Sequence, residues 1–464
     1  MGVAVSNWRL ASAVAQAGQL GVVSGTLLAA VLVRRLQDGD RDGMMRHALG
    51  HFPIPGVMQR VLDDYFLSDG KPAGARYKLA AVPTLYLSSR TTELIVAATF
   101  AEVFLAKEGH SGLVGINLLE KIQFVTLPSL YGAMLAGVDY VLMGAGIPRS
   151  IPGVLDRLAG GHFSSIKVDV QGAPLDCEYA SFFRPSAFCG QDPPKLKRPH
   201  FLAIVSSAAL ASMLMRISTG KIDGFVIETD TAGGHNAPPR GTATLNPDGE
   251  PVYGPRDAPD LKKFQALGLP FWLAGSFGQP GKLGEAIRLG AQGIQLGTAF
   301  AFCQESGMHP SLKERILQQC LDGPVRIFTD PVASPTGFPF KVLPLSGTLS
   351  DPTTYALRKR ICDLGYLRRP YETPDGNVGY RCPAEPVNDF VQKQGVFSET
   401  VGRKCLCNGL LATVGHAQAR GEGGVEPAIV TAGKDIANIV QFLPRGAKTY
   451  TAHNVIFRLL EEIG

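Results

Sequence analysis

The chain has 464 residues, 45% of them hydrophobic and 18% charged, with a formal charge of +5. That length suits two or three ordinary domains, or one α/β barrel of about 250 residues carrying insertions. The mild charge, with no block of like sign, excludes a dedicated nucleic-acid surface and leaves room for an anionic ligand; the apolar content excludes long disorder.

From the N-terminus, Leu10 to Val33 carries no charge and is bounded by Arg9 and Arg34, long enough to raise a membrane span. Gln16, Gln19, Gly18, Gly21, Ser24 and Gly25 break it up. It is therefore read as a helix "WRLASAVAQAG" closed by Gly18, followed by a buried strand "QLGVVSG". No membrane span is expected. Eight cysteines without a secretory leader fit reduced thiols and a cytoplasmic location.

Short apolar runs rich in β-branched residues then alternate with helical patterns. The strands are "LGVVSG" (20–25), "GLVGIN" (112–117), "DYVLMGAG" (139–146), "FLAIVSS" (201–207), "GFVIETD" (224–230), "PFWLAGS" (270–276) and "GIQLGTA" (293–299). Helices are read between them in "LPSLYGAMLAGV", "SAALASMLMRIST", "APDLKKFQALG" and "GKLGEAIRLGA". Near-continuous apolar strands joined through helices imply a parallel sheet covered on both faces. The expected fold is α/β, a (β/α)8 TIM barrel with helical and hairpin insertions and a C-terminal cysteine-bearing extension. Its first strand is expected to be very short or, by preference, truncated before Met1. The barrel is placed at 1–330, with helical insertion 26–111 and a hairpin insertion within 151–200. A Cys/Pro/Gly-rich extension follows at 331–420, then two helices in 421–464 that pack on the barrel.

In such a barrel the reactive groups gather where the strands end. The candidates there are Asn117, Gly144, Glu228, His235, Gly275, Ser276, Gly297 and Thr298. Gly275, Ser276 and Gly278 precede one helix, and Gly297 and Thr298 follow the next strand. Glycines let backbone N–H groups approach an anion, hydroxyls add donors, and a helix start adds a favourable dipole, so the pair reads as a phosphate cradle. The alternative is that these glycines only turn the chain.

The ordered set "MGVAVSNWRLASAVAQAGQLGVVS", "VGINL", "ETDTAGGHNAPPRG" and "FWLAGSFGQPGKLGEAIRLGAQGIQLGTAFAFCQES" resembles the nitronate monooxygenase (2-nitropropane dioxygenase) family of FMN-containing TIM barrels. That family shares its fold with flavin-dependent enoyl-ACP reductases. The resemblance runs through most of residues 1–310 and is most specific over 225–306. It implies FMN as cofactor, His235 as the active-site histidine beside the flavin, and Asn117 and Gly2 near its ring. It also implies a phosphate held by Gly275, Ser276, Gly297 and Thr298, with Gly-Ser at 275–276 where the family more often has Gly-Gly. Gly233 and Gly234 would let the loop fold over a planar ring, and Glu228 would contact the ribityl chain or cap a helix.

The implied reaction is oxidation of alkyl nitronates with O2 to a carbonyl compound and nitrite. His235, with an ordinary pKa near 6.5, would serve as base or hydrogen-bond donor. A reductase of enoyl thioesters using NAD(P)H is the alternative, and a non-catalytic flavin-binding subunit is a third. Small-molecule partners are expected, without nucleic acid or membrane, and a homo-oligomer is compatible.

Cys362, Cys382, Cys405 and Cys407 are candidate ligands for zinc or an iron–sulfur cluster, although their spacing matches no common pair. The other reading is ordinary thiols in a packed extension. Segment 330–342 is expected to be a proline-braced loop returning to the barrel, with Lys341 able to approach substrate.

Overall fold

A computed structural model describes residues 2–174, 177–190, 192–242, 244–421 and 423–461. Seven strands form one parallel sheet: β1 Gly21–Ser24, β2 Val114–Leu119, β3 Tyr140–Gly144, β4 His200–Val205, β5 Gly224–Glu228, β6 Phe271–Ala274 and β7 Gly293–Gln295. Each pairs with the next in chain order. This is the (β/α)8 plan with seven strands among the described residues, and β1 and β7 are its two edges.

Strict alternation along the strands explains the apolar runs. Leu142, Leu202, Val226 and Ala274 form a small cluster with Trp272 on one face. The intervening Val141, Phe201, Phe225 and Phe271 join the large core beneath the helices. Both faces are thus covered, as continuous hydrophobic strands require. Register carries the pattern across the sheet, with Leu142 opposite Leu202 and Val226 opposite Trp272.

The uncharged N-terminal stretch divides as expected into the helix Trp8–Gln16 and strand β1, and its end opens a further helix, Leu28–Gln37. Asn7 caps the first helix, its side chain accepting from Leu10 N at 3.0 Å. Only glycine fits where that helix meets the sheet: a Cβ on Gly21 would stand 1.9 Å from Ala11 O. Among the described residues, no helix is long and apolar enough to cross a membrane.

The insertion after β1 holds four helices, Leu28–Gln37, Met44–Gly50, Val57–Tyr65 and Ser89–Lys107. The hairpin expected before β4 pairs Ser164–Lys167 with Ala180–Phe183. After β7 come the helix Pro310–Asp322 and two further hairpins, Phe328–Asp330 with Phe340–Val342 and Arg369–Glu372 with Val378–Arg381. Of the two helices expected near the C-terminus, Ala452–Leu460 is α-helical, opened by a Thr451–Asn454 capping box. The other, Ile436–Phe442, is a 3₁₀ helix. Its buried residues Ile436, Ile439 and Phe442 recur every three positions, which places them in line on a three-residue turn.

Candidate active site

A cavity of about 670 Å³ opens at the C-terminal ends of the strands and continues into the slot between β1 and β7. Its volume falls within the range of cofactor sites. Nearly all the strand-end candidates border it. Gly2, Asn117 and Gly144 lie on the side of β1 to β3, and Glu228, Gly233, Gly234 and His235 follow β5. Gly275, Ser276, Gly297 and Thr298 follow β6 and β7. Gly278 stands just outside, packed toward Asp435 and Leu296.

The His235 loop is pinned from outside the barrel. His235 bridges to Phe340 as in an antiparallel strand; Asn236 N donates to Pro339 O at 3.0 Å and Lys341 N to Gly234 O at 2.9 Å. Thr431 accepts from Gly234 N at 2.8 Å. The loop thus gains two strand-like neighbours from the segment expected to return toward the barrel. The imidazole packs edge-on to Phe340, with ring centroids 4.9 Å apart. Its Nε2 lies 2.7 Å from Ser334 Oγ, which in turn lies 2.8 Å from Thr336 Oγ1. Ser334 is fully buried, so this bond fixes the ring and leaves Nδ1 for a ligand.

Burial drives the electrostatics. It depresses His235 to about 3, so the ring is neutral at physiological pH rather than titrating near 6.5. Burial raises Glu228 to about 7, making it the group at this mouth that titrates near neutrality. Asn236 is within 3.5 Å of Glu228 Oε1 through Nδ2. Behind it, Lys341 Nζ donates to Asn236 Oδ1 at 2.8 Å and Thr329 Oγ1 at 3.1 Å. Lys341 is completely buried and lowered to about 8, chiefly by burial. Expected as a group approaching substrate, it instead braces the loop from beneath.

The cradle is strained and partly unsatisfied. Gly275 has φ +103°, and a Cβ there would stand 2.1 Å from Thr229 Oγ1; Ser276 occupies the left-handed region at φ 55°. Such conformations persist where the surroundings over-determine them, often at ligand sites. Ser276 Oγ is buried without a hydrogen-bond partner. An unmet donor beside Gly275, Gly297 and Thr298 fits a phosphate-bearing group such as FMN. Asp435, whose carboxyl burial pushes up, also borders the cavity.

The four C-terminal cysteines meet, but not as a metal site. Cys362, Cys382, Cys405 and Cys407 line a cavity of only about 10 Å³ together with Leu364, Leu367 and Leu406. Among the described residues no group of three or more is arranged to hold an ion, which corrects the zinc or iron–sulfur expectation. Burial holds Cys405 up near 11 and raises Cys407 too, keeping these two thiols protonated in an apolar setting, whereas the neighbouring Cys382 thiol holds Cys362 below its ordinary value. All eight cysteines are free.

Three residues of the site have no strand-end signal in the sequence: Thr431 and Asp435 at the mouth and Ser334 buried beneath it. Each belongs to a segment far from the strand-end motifs and is brought there by tertiary folding. Only the proline-braced 330–342 run hinted that something returns to the barrel.

The fold and the cavity define a parallel α/β barrel with a ligand site at its strand ends. Residues 190–332 match the family described as Nitronate monooxygenase. A probable nitronate monooxygenase of Bacillus subtilis (strain 168) is 32% identical over 120 residues, 25% of this chain. The match spans 31% of that relative's length. Among solved structures, FabK from Thermotoga maritima has 15% identity and a TM-score of 0.47, over 98% of this chain and 88% of that one. The nitroalkane oxidase from Streptomyces ansochromogenes has 15% identity and a TM-score of 0.46, over 100% and 93%.

Proposed function

We propose that the chain is an FMN-dependent oxidoreductase that oxidises alkyl nitronates with O2 to a carbonyl compound and nitrite. The observation that carries it is the pairing, in one cavity, of the anchored His235 with the unsatisfied Ser276 hydroxyl, both inside the family-matched segment. Gly275, Ser276, Gly297 and Thr298 would hold the phosphate, with Asn117 and Gly2 toward the ring. FMN bound there would supply the redox chemistry, exchanging electrons with substrate and oxygen.

The protein's own part follows from the state of His235. A neutral imidazole of pKa about 3 is a poor base, yet it donates hydrogen bonds well. A nitronate arrives already deprotonated and needs no base. Ser334 can donate to Nε2, which fixes the tautomer carrying the proton on Nδ1 for a nitro oxygen. His235 is therefore assigned as hydrogen-bond donor and orienter.

A second reading has one observation in its favour. Ile122, Leu367, Leu406 and Leu410 give the cavity an apolar wall, suited to the acyl chain of an enoyl thioester reduced with NAD(P)H. Anaerobic mixing of the FMN-loaded protein separates the two. Bleaching of the visible flavin band by propyl-2-nitronate alone supports the nitronate reading. Bleaching by NADPH alone, reversed by an enoyl thioester, replaces it with the reductase.

A further inference from the structure

The cradle expected to hold a phosphate is bordered by a carboxyl group that the chain itself supplies, Asp435. Residues 431–435 cross the mouth of the barrel. Gly433 N donates to Thr298 Oγ1 at 2.8 Å, Lys434 N to Thr231 O at 3.0 Å, and Thr431 Oγ1 accepts from Gly234 N. This lacing carries Asp435 to the turn after β6. Its Oδ2 lies 3.3 Å from the point where a Cβ on Gly278 would stand, and its Oδ1 and Thr298 Oγ1 lie 2.8 Å and 3.0 Å from the point where a Cβ on Gly433 would stand, so the carboxyl sits beside both Gly278 and Thr298.

The same turn is held from behind by Gln441, whose Nε2 donates to Gly278 O at 2.8 Å. The nearest lysine in sequence, Lys434, reaches Asp230 instead at 3.5 Å. Among the described residues Asp435 has no ion-pair partner. Two residues read from sequence as phosphate ligands, Gly278 and Thr298, thus lie beside a carboxyl group, while the hydroxyl of a third, Ser276, is left unmet.

We propose that Asp435 is a specificity-determining residue of the flavin site, an internal anion that competes with the ligand's phosphate monoester for Gly278 N–H and Thr298 Oγ1. The proposal rests on the FMN reading. A flavin with a phosphate has to displace or crowd the carboxylate, and two anions on shared donors repel. A flavin without one fills the ring site and leaves Asp435 in place. Asp435 therefore lowers the preference for FMN over riboflavin that the cradle would otherwise have.

The test uses full-length protein stripped of flavin, with FMN and riboflavin binding each followed by quenching of flavin fluorescence. Asp435→Asn and Asp435→Ala are expected to bind FMN about tenfold more tightly than wild type, with riboflavin changed less than about twofold. Unchanged or weaker FMN binding in both variants overturns the proposal. So does a parallel shift for both flavins, because a merely loosened segment would move the two ligands together. Wild type that binds FMN while the variants show no selective gain removes only the role of Asp435. Wild type and variants that bind neither flavin, with unchanged circular dichroism, overturn the FMN reading and this proposal with it.

Discussion

His235 and Ser334, 99 residues apart in sequence, meet at 2.7 Å beneath the mouth of the barrel. The loop supplies the ring and the extension supplies the group that orients it. The outer partner of a functional imidazole fixes both tautomer and angle, so its loss acts through the ring.

His235→Ala is expected to keep FMN while turnover falls about 100-fold or more, the scale of a lost group that contacts substrate. The check is the ratio of visible to ultraviolet absorbance after purification, together with steady-state turnover. Full activity in this variant would remove the histidine from the mechanism.

For Ser334→Ala the expectation is milder, a fall in kcat of about tenfold with flavin content unchanged. Nitrogen-15 spectra of the His235 ring should show mixed tautomers where wild type shows one. A single unchanged tautomer with reduced kcat would mean that Ser334 acts in another way.

Ser276→Ala takes away the unmet hydroxyl of the cradle. FMN binding is expected to weaken about tenfold, as for one hydrogen bond to a charged group, while riboflavin binding stays the same. Equal loss for both flavins would place Ser276 away from the phosphate.

Glu228 gives a pH signature of defined sign. Its folded value of about 7 lies above the ordinary 4.5. Below pH 4.5 both folded and unfolded states hold the proton, and the protonated form adds no penalty. As pH rises toward 7 the unfolded state has already released its proton, so the contribution of this group to stability declines, and its full penalty is in place above the folded value. Flavin-free Glu228→Gln should therefore gain thermal stability relative to wild type at pH 8 and not at pH 4. An equal difference at both pH values would refute the raised carboxyl.

Lys341→Met strips the amine from Asn236 Oδ1 and Thr329 Oγ1. Leaving these buried acceptors unpaired is expected to cost about 1–3 kcal/mol, read by urea unfolding. The flexible Met fills much of the lysine's volume, so a loss near zero would show that water replaces the ammonium.

The seven strands were legible because each is an apolar run ending in small polar residues, and burial on both faces enforces that run. The hairpin before β4 and the helices of the first insertion were legible for similar local reasons. Most strand-end candidates do border one cavity, since a barrel converts strand ends into a ring of neighbours. The neutral state of His235 was not legible, because it arises from Phe340 and the buried Ser334 closing over the ring. Nor was Asp435, whose position depends on the lacing of 431–435 to Thr231, Gly234 and Thr298. The cysteines misled because thiols gathered by a hydrophobic core look, in one dimension, like ligands. Of the two helices expected in 421–464, Ile436–Phe442 is a 3₁₀ helix because its buried residues recur every three positions.

The strap at 338–341 and the crossing segment at 431–435 also set a timetable for synthesis. A ribosome that has released the β7 strand has made every strand of the sheet, yet the loop bearing His235 still lacks both of its clasps. The mouth of the barrel can assume its final shape only after the chain through Asp435 has emerged. Any nascent or prematurely terminated product ending between residues 300 and 430 would carry every strand of the sheet yet lack at least the second of these clasps.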